Sequence, residues 1–291
     1  MKTTLDCLPC FLSQALHTIR LTGADTIKQA QAMQGALSYL AGIDLTASPP
    51  ENAVGLYRLI AEVTACPDPF SGLKRQSNQL ALDLVARIRQ QITAADDPLY
   101  AALLFSLAGN IIDYGARHTF DIEGTIRAAL DREPAINDYA AFSADLNRAG
   151  SILYLGDNSG ELVFDGLVIE QLDREVIFVV KESPIINDAL HTDAIACGLN
   201  RLCRIVSNGT DCPGTPLATC SEEFRHLFHT ADLIISKGQG NFETLSEVKA
   251  PLYFLLTVKC PVVGDHIRQL TGREVELGRT VLLKGIPHAR P

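Results

Sequence analysis

The apolar run Ile152-Leu153-Tyr154-Leu155 stops at Gly156-Asp157-Asn158-Ser159-Gly160-Glu161, and an amphipathic run over residues 162–172 follows at once. That order reads as strand, tight turn and helix. Asp157 and Asn158 offer hard oxygen donors to a divalent cation. Ser159, Gly160 and the helix start behind them offer N–H groups to an anion. Such a turn lies at the carboxyl end of a strand, where open α/β sheets bind ligands. The chemistry to pursue is a metal ion beside a phosphate group. The plainer alternative is that Asp157 or Ser159 only caps the helix that follows.

Three further clusters follow strand-like runs. In Lys181-Glu182-Ser183-Pro184-Ile185-Ile186-Asn187-Asp188-Ala189, Asp188 can bring a second carboxylate to the same cation. A magnesium-like ion commonly takes one or two carboxylates and keeps positions for water and substrate phosphate. Alternatively, Asn187 or Asp188 caps a helix over residues 189–197. In Ser236-Lys237-Gly238-Gln239-Gly240-Asn241-Phe242-Glu243, two glycines permit close approach of a ligand and Lys237 adds positive charge. No Gly-Lys-Ser/Thr closes this loop, so it is not a Walker A sequence, and Glu243 stands where a dinucleotide fingerprint needs its third glycine. In Thr257-Val258-Lys259-Cys260, Lys259 is either a second phosphate-binding cation or a surface residue snorkelling to water. The Gly- and Pro-containing loop 207–215 either shapes the pocket or is a surface turn.

The elements that must position these clusters divide the chain in two. Residues 11–21, 25–40, 52–64, 73–93 and 98–109 carry apolar residues at helical spacing, rich in Ala, Leu, Gln and Arg. Pro49-Pro50 and Pro67-Asp68-Pro69 interrupt them. No strand pattern appears before about residue 150. Short apolar runs then recur at 152–155, 176–180, 204–206, 233–235, 252–256 and 281–283, most of them separated by helical patterns. This alternation predicts an α/β fold, a mostly parallel sheet with helices on its faces, in 149–291, beside a mainly helical region in 1–148. Right-handed crossovers put most strand carboxyl ends on one edge, so the polar clusters converge there.

Composition narrows the function. The 291 residues carry a net charge of −9 with no Lys/Arg run, which argues against nonspecific nucleic-acid binding. No stretch of eighteen apolar residues suggests a membrane span. The beginning, Met1-Lys2-Thr3-Thr4-Leu5-Asp6-Cys7, lacks the apolar region of a signal peptide, so a cytoplasmic protein is expected. Its eight cysteines then read as thiols rather than a disulfide framework. Cys7-Leu8-Pro9-Cys10 is only half of a tetrahedral zinc site, and a structural or redox role is favoured over bound zinc. There is no His-Glu-x-x-His, and His191, though near Asp188, reads as a helix-surface residue.

Taken together, the motifs resemble one family, the metal-dependent damage-control phosphatases, also called the domain of unknown function 89. The resemblance runs over nearly the whole chain. It rests on Cys7-x-x-Cys10-x-x-x-Gln14, Asp68-Pro69-Phe70 with Lys74 and Asn78, and Ala108-Gly109-Asn110-Ile111-Ile112-Asp113-Tyr114-Gly115. It continues through Gly156-Asp157-Asn158-Ser159-Gly160-Glu161, Asn187-Asp188-Ala189, Lys237-Gly238-Gln239-Gly240-Asn241 and Lys259-Cys260. The cysteine pair is similar to the branch common in prokaryotes. The resemblance implies a helical N-terminal region beside a three-layer α/β/α domain with a Rossmann-like sheet. It implies one divalent metal ion (Mg, Mn, Co or Ni) on Asp157, Asn158 and Asp188, and substrate contacts from Lys237, Asn241 and Lys259. Gln239 stands where the sugar-phosphate branch has an acid, a departure that speaks against sugar specificity.

The expected reaction is hydrolysis of a small phosphorylated metabolite. Asp157, Asn158 and Lys237 are its expected catalytic residues, with Ser159, Gly160, Gln239, Gly240, Asn241 and Lys259 around the substrate. Two readings compete. One is a carboxyl methyltransferase, although no glycine-rich cofactor turn of the usual kind follows the first strand. The other is a noncatalytic module that binds metal or phosphometabolites.

Overall fold

The computed structural model describes residues 1–115 and 133–286, the side chains of 110–115 excepted. The sequence motif at Asn110–Gly115 therefore lies, as far as its side chains go, outside the described residues. Five helices open the chain: α1 (Cys7–Leu21), α2 (Thr26–Ala41), α3 (Pro49–Thr64), α4 (Ser71–Thr93) and α5 (Pro98–Gly115). Local chemistry sets their starts. Asp25 accepts a hydrogen bond from the Lys28 N–H, and Ser48 and Glu51 form a capping box around Pro49 and Pro50. The two prolines that interrupt the sequence pattern thus begin α3, where their missing N–H groups cost nothing. Helices α1–α3 bury Phe11, Ala15, Ile19, Ala36, Leu56 and Ile60 in a small core of their own.

The rest alternates strand and helix: β1 (Ile136–Asn137), α6 (Tyr139–Leu146), β2 (Ser151–Leu155), α7 (Glu161–Ile169), β3 (Glu175–Val180), α8 (His191–Ala196), β4 (Arg204–Ser207), α9 (Glu222–Thr230), β5 (Leu233–Lys237), α10 (Gln239–Leu245), β6 (Leu252–Thr257), α11 (Pro261–Thr271) and β7 (Thr280–Lys284). The strands form one sheet in the order β1-β7-β6-β5-β2-β3-β4, parallel throughout except for the β6–β7 pair. Alternate residues of each strand enter different cores. Ile152, Tyr154, Phe178, Leu233 and Ile235 pack against α4, α5 and α7, while Leu153, Leu155, Ile234, Phe254 and Leu256 pack against α9, α10 and α11. A sheet covered on both faces explains why its strands read as continuous apolar runs. Each fully buried Leu, Ile or Phe contributes roughly 1.5–3 kcal/mol of transfer free energy.

One sequence expectation needs correction. The sheet recruits a strand before residue 150: β1 pairs in parallel with β7 through Ile136 and Val281. Two residues are too short to show a period, and the pairing comes from β7 rather than from the segment itself. The alternative reading, in which Asp157, Ser159, Asn187 or Asp188 caps the helix that follows, is not realised. Helix α7 starts at Gly160 without a side-chain cap, and α8 starts at Leu190, whose N–H donates to Asp193 Oδ2 at 3.0 Å.

Candidate active site

The strand order reverses at β2. From it the chain steps outward through β3 and β4 on one side, and β5 and β6 fill the other. Connections on opposite faces leave a crevice at such a switch point, outside the strand carboxyl ends. The loops after β2, β3, β5 and β6 meet there. They wall a cavity of about 810 Å³, with Asp157, Asn158, Asn187, Asp188, Gln239, Gly240, Glu243 and Lys259 on one side. Phe11, Gln14, Pro49, Pro50, Ala53 and Tyr57 from α1 and α3 close the other.

The two acidic loops are joined through their backbones. Asn158 and Asp188 form an antiparallel bridge, Ser159 N–H donates to Asn187 O at 2.9 Å, and Ala189 N–H donates to Asp157 O at 2.9 Å. Ile186, just before, has φ +37°, a left-handed conformation unusual for a β-branched residue. The backbone pairing thus sets the two carboxylates side by side rather than leaving them to mobile side chains.

Asp188 is buried, and neither carboxylate oxygen has a hydrogen-bond partner among the described residues. The Lys181 ammonium lies 3.7 Å away, too far for a good hydrogen bond. Asn158 donates its amide hydrogens to Asp157 Oδ2 at 3.0 Å and Glu161 Oε1 at 2.8 Å, which leaves its amide oxygen as an available donor to a cation. Burial, with Glu161 and Asp188 nearby, holds the Asp157 carboxyl well above the usual carboxylate range despite Lys259 and Lys181. Burial also pushes Asp188 up to about 6 against the pull of Lys181 and Lys74. A buried polar atom without a partner is costly. The unpartnered Asp188 carboxylate, with the Asp157 carboxylate and the Asn158 amide oxygen, forms a hard, oxygen-only donor set that fits a magnesium-like cation.

Gly238 backs this set. A Cβ on it would lie 2.0 Å from Asp157 Oδ2, and its φ is +84°. Gly238→Ala is therefore expected to strain the turn, displace the carboxylate and lower stability by about 2 kcal/mol or more. Melting with and without manganese checks this. A wild-type melting point with an intact manganese response would show that the close approach is unimportant.

Not every residue picked out in sequence reaches the cavity. Lys237 does not: its Nζ donates to Asp165 Oδ1 at 2.9 Å, Glu161 Oε2 at 3.2 Å and the Ser106 carbonyl at 3.3 Å, in the interior between β5, α5 and α7. Burial alone would push its ammonium down, but Asp165 and Glu161 outweigh that and hold it above the ordinary lysine range. Lys237 therefore steadies Glu161, which in turn holds the Asn158 amide, and touches no cavity surface. Asn241 is also turned inward, donating to Gly156 O at 3.1 Å and Lys237 O at 2.8 Å while accepting from Thr215 Oγ1 at 2.7 Å. The N–H groups expected to meet an anion are already engaged, Ser159 to Asn187 and Gly160 to Asn78 Oδ1 at 2.7 Å. Asn78 also donates to Asp193 Oδ1 at 3.1 Å, so α4 clamps both acidic loops from behind. Gln239, Gly240 and Lys259 do line the cavity.

Sequence reading passed over Glu243. It follows Gln239 by four residues, so both lie on one helix face, and Gln239 Nε2 donates to Glu243 Oε1 at 2.8 Å. The three thiols Cys7, Cys10 and Cys260 also line the cavity, with Gln14 donating to Cys10 Sγ at 3.4 Å. Burial pushes the Cys10 and Cys260 thiols up. Among the described residues no three His, Cys, Asp or Glu side chains stand close enough together to hold a metal. Beside the pair Asp157–Asp188 stands the Asn158 amide. No helix of the described residues is long and apolar enough to cross a membrane.

Comparison with known proteins places the chain in a family. Residues 3–275 match the family described as the damage-control phosphatase ARMT1-like domain. A damage-control phosphatase of Pyrococcus horikoshii, PH1575, is 34% identical over 92% of this chain and 95% of its own length. One of Archaeoglobus fulgidus is 30% identical over 95% of this chain and 100% of its own. An uncharacterised Methanocaldococcus jannaschii protein, MJ0202, is 31% identical over 98% and 96%. A crystal structure of a DUF89 family protein, PH1575 of Pyrococcus horikoshii, superposes with a TM-score of 0.89 at 31% identity, covering 98% of this chain and 99% of that one. The chain belongs to the damage-control phosphatase ARMT1-like family.

Proposed function

We propose that this protein is a divalent-cation-dependent phosphatase acting on small phosphorylated metabolites. The observation that carries the reading is the pair of half-buried Asp157 and buried Asp188 on the wall of a cavity that Lys259 also lines, with both Asp188 oxygens lacking hydrogen-bond partners among the described residues. The names of the Pyrococcus and Archaeoglobus relatives support it. Asp157, Asn158 and Asp188 would hold the cation, of the Mg, Mn, Co or Ni class, which when bound supplies a Lewis acid to a phosphoryl oxygen. Lys259 brings positive charge to the cavity of an otherwise acidic chain, where it can attract and steady phosphate oxygens. Water is the nucleophile, because Asp157 is committed to the cation. The wall from α1 and α3 is largely apolar, so the substrate carries a body that packs there.

The test is phosphate release from a panel of sugar phosphates, nucleotides and aryl phosphates at saturating metal. Turnover is expected, with preference for esters that have an apolar or flat body. No turnover of any ester by folded, metal-loaded protein would move the weight to a binding module or to methyl transfer.

The pH dependence of cation binding follows from the raised carboxyls. Asp188 titrates at about 6 in the fold against an ordinary 3.8, so between these values the folded state holds more protons than the unfolded one. The stability linked to the protonated form is complete below the ordinary value and lost as pH rises through about 6. A cation needs the ionised form. Manganese at a hundredfold excess over its Kd is therefore expected to stabilise the stripped protein by about 2.7 kcal/mol at pH ~7.5, roughly 5 °C in melting temperature, and far less at pH ~5. Equal stabilisation at both pH values would place the cation elsewhere.

A further inference from the structure

We propose that Glu243 is the general acid that protonates the leaving alcohol, an inference that rests on the phosphatase reading. Glu243 shares the cavity wall with Asp157, Asp188 and Lys259. It is carried on α10, which begins directly after the Gly238 that packs against Asp157, so its distance from the acidic pair is set by rigid backbone. The residue is buried, 7% exposed. The orientation of its partner is fixed as well. Gln239 Oε1 accepts the Lys259 backbone N–H at 3.0 Å, so the amide must present its hydrogens to Glu243 Oε1. Oε2, which receives no hydrogen bond among the described residues, is left as the oxygen to carry a proton.

The other cavity groups are poor donors. Tyr57 already gives its hydroxyl hydrogen to Gln14 Oε1 at 2.8 Å, and Asp157 and Asp188 serve the cation. No histidine lines the cavity among the described residues. The charged and titratable groups facing Glu243 are the Met1 amine, Lys259, Cys10 and Cys260. Burial pushes the Glu243 carboxyl up to about 7 against the Gln239 hydrogen bond, the Met1 amine and Lys259, so it is partly protonated at neutral pH.

The step balances. The bond from phosphorus to the alcohol oxygen breaks, and its electron pair goes to that oxygen, which takes the Glu243 proton. Water forms the new P–O bond and keeps one hydrogen in the hydrogen phosphate product. Its other proton returns to the Glu243 carboxylate through cavity water.

The experiment compares metal-loaded wild type, Glu243→Gln and Glu243→Asp on the best alkyl phosphate of the panel and on 4-nitrophenyl phosphate, whose phenolate leaves without a proton. Glu243→Gln is expected to lower kcat/KM on the alkyl ester by about 10²–10³-fold, and by at least about tenfold less on the aryl ester. The fall in wild-type kcat/KM above pH about 7 on the alkyl ester should vanish with it. Should Glu243→Gln fail to fold, Glu243→Asp carries the same contrast: a larger loss on the alkyl than on the aryl ester. Equal losses on both esters, or an unchanged alkaline limb, would overturn the assignment. If wild type hydrolyses neither ester, it is the phosphatase reading that fails.

Discussion

Asp157→Ala is expected to lower kcat/KM for phosphate release by about 10³-fold or more, equivalent to about 4 kcal/mol of transition-state stabilisation. Groups that only orient a metal ligand are commonly worth 10–100-fold, and a direct donor is worth more. The fold should survive. The carboxyl is held well above its usual range by burial and by like charge from Glu161 and Asp188, so its removal relieves repulsion in the metal-free protein. Thermal melts in chelator at neutral pH are therefore expected to show the variant at or above wild type. That outcome separates a functional carboxylate from a structural one: an inactive variant that is also unfolded would say nothing for the site, and an active one would remove Asp157 from it.

Lys237→Met should do the opposite and act first on stability. The ammonium lies in the interior against Asp165 and Glu161, with Tyr154 and Ser106 hydroxyls also donating to Asp165 Oδ1 at 2.7 and 2.6 Å. Removing one partner of a buried ion pair leaves the others uncompensated, at a cost of about 3–5 kcal/mol. Urea unfolding measures it. Adding Asp165→Asn to Lys237→Met removes an orphaned charge and should recover part of the loss, a coupling that a double-mutant cycle reads directly. Because Lys237 steadies Glu161 and Glu161 holds Asn158, surviving folded protein should also bind manganese about 10–100-fold more weakly. Unchanged stability with lost substrate binding would instead return Lys237 to the cavity.

Sequence legibility follows from physics at particular residues. Asp157, Asn158, Asp188, Gln239, Gly240 and Lys259 were readable because loops at the carboxyl ends of parallel strands must converge, and all six line the cavity. Lys237 lies away from the cavity for a reason the sequence already contains. On a strand, every second residue shares a face, so Lys237 follows Leu233 and Ile235 toward α5 and α7, not toward the loops. What the sequence does not reveal is that Asp165 and Glu161 wait there to pair with it. Ser159 and Gly160 were chosen as anion donors on helix geometry alone, and Asn187 and Asn78 take their N–H groups, an arrangement that depends on residues far along the chain. Glu243 offered a helical i, i+4 relation to Gln239, yet in sequence it was read only as the absence of a third glycine. The thiols at Cys7 and Cys260 share a cavity wall only because α1 and the loop after β6 border the same cavity, a tertiary fact with no local signature.

The most direct measurement is phosphate release against added manganese in protein stripped of metal. The account predicts release near background without metal, rising to a plateau at one equivalent of cation per chain. A rate equally high in stripped protein, or a flat trace at all manganese concentrations from protein shown to be folded, would contradict it.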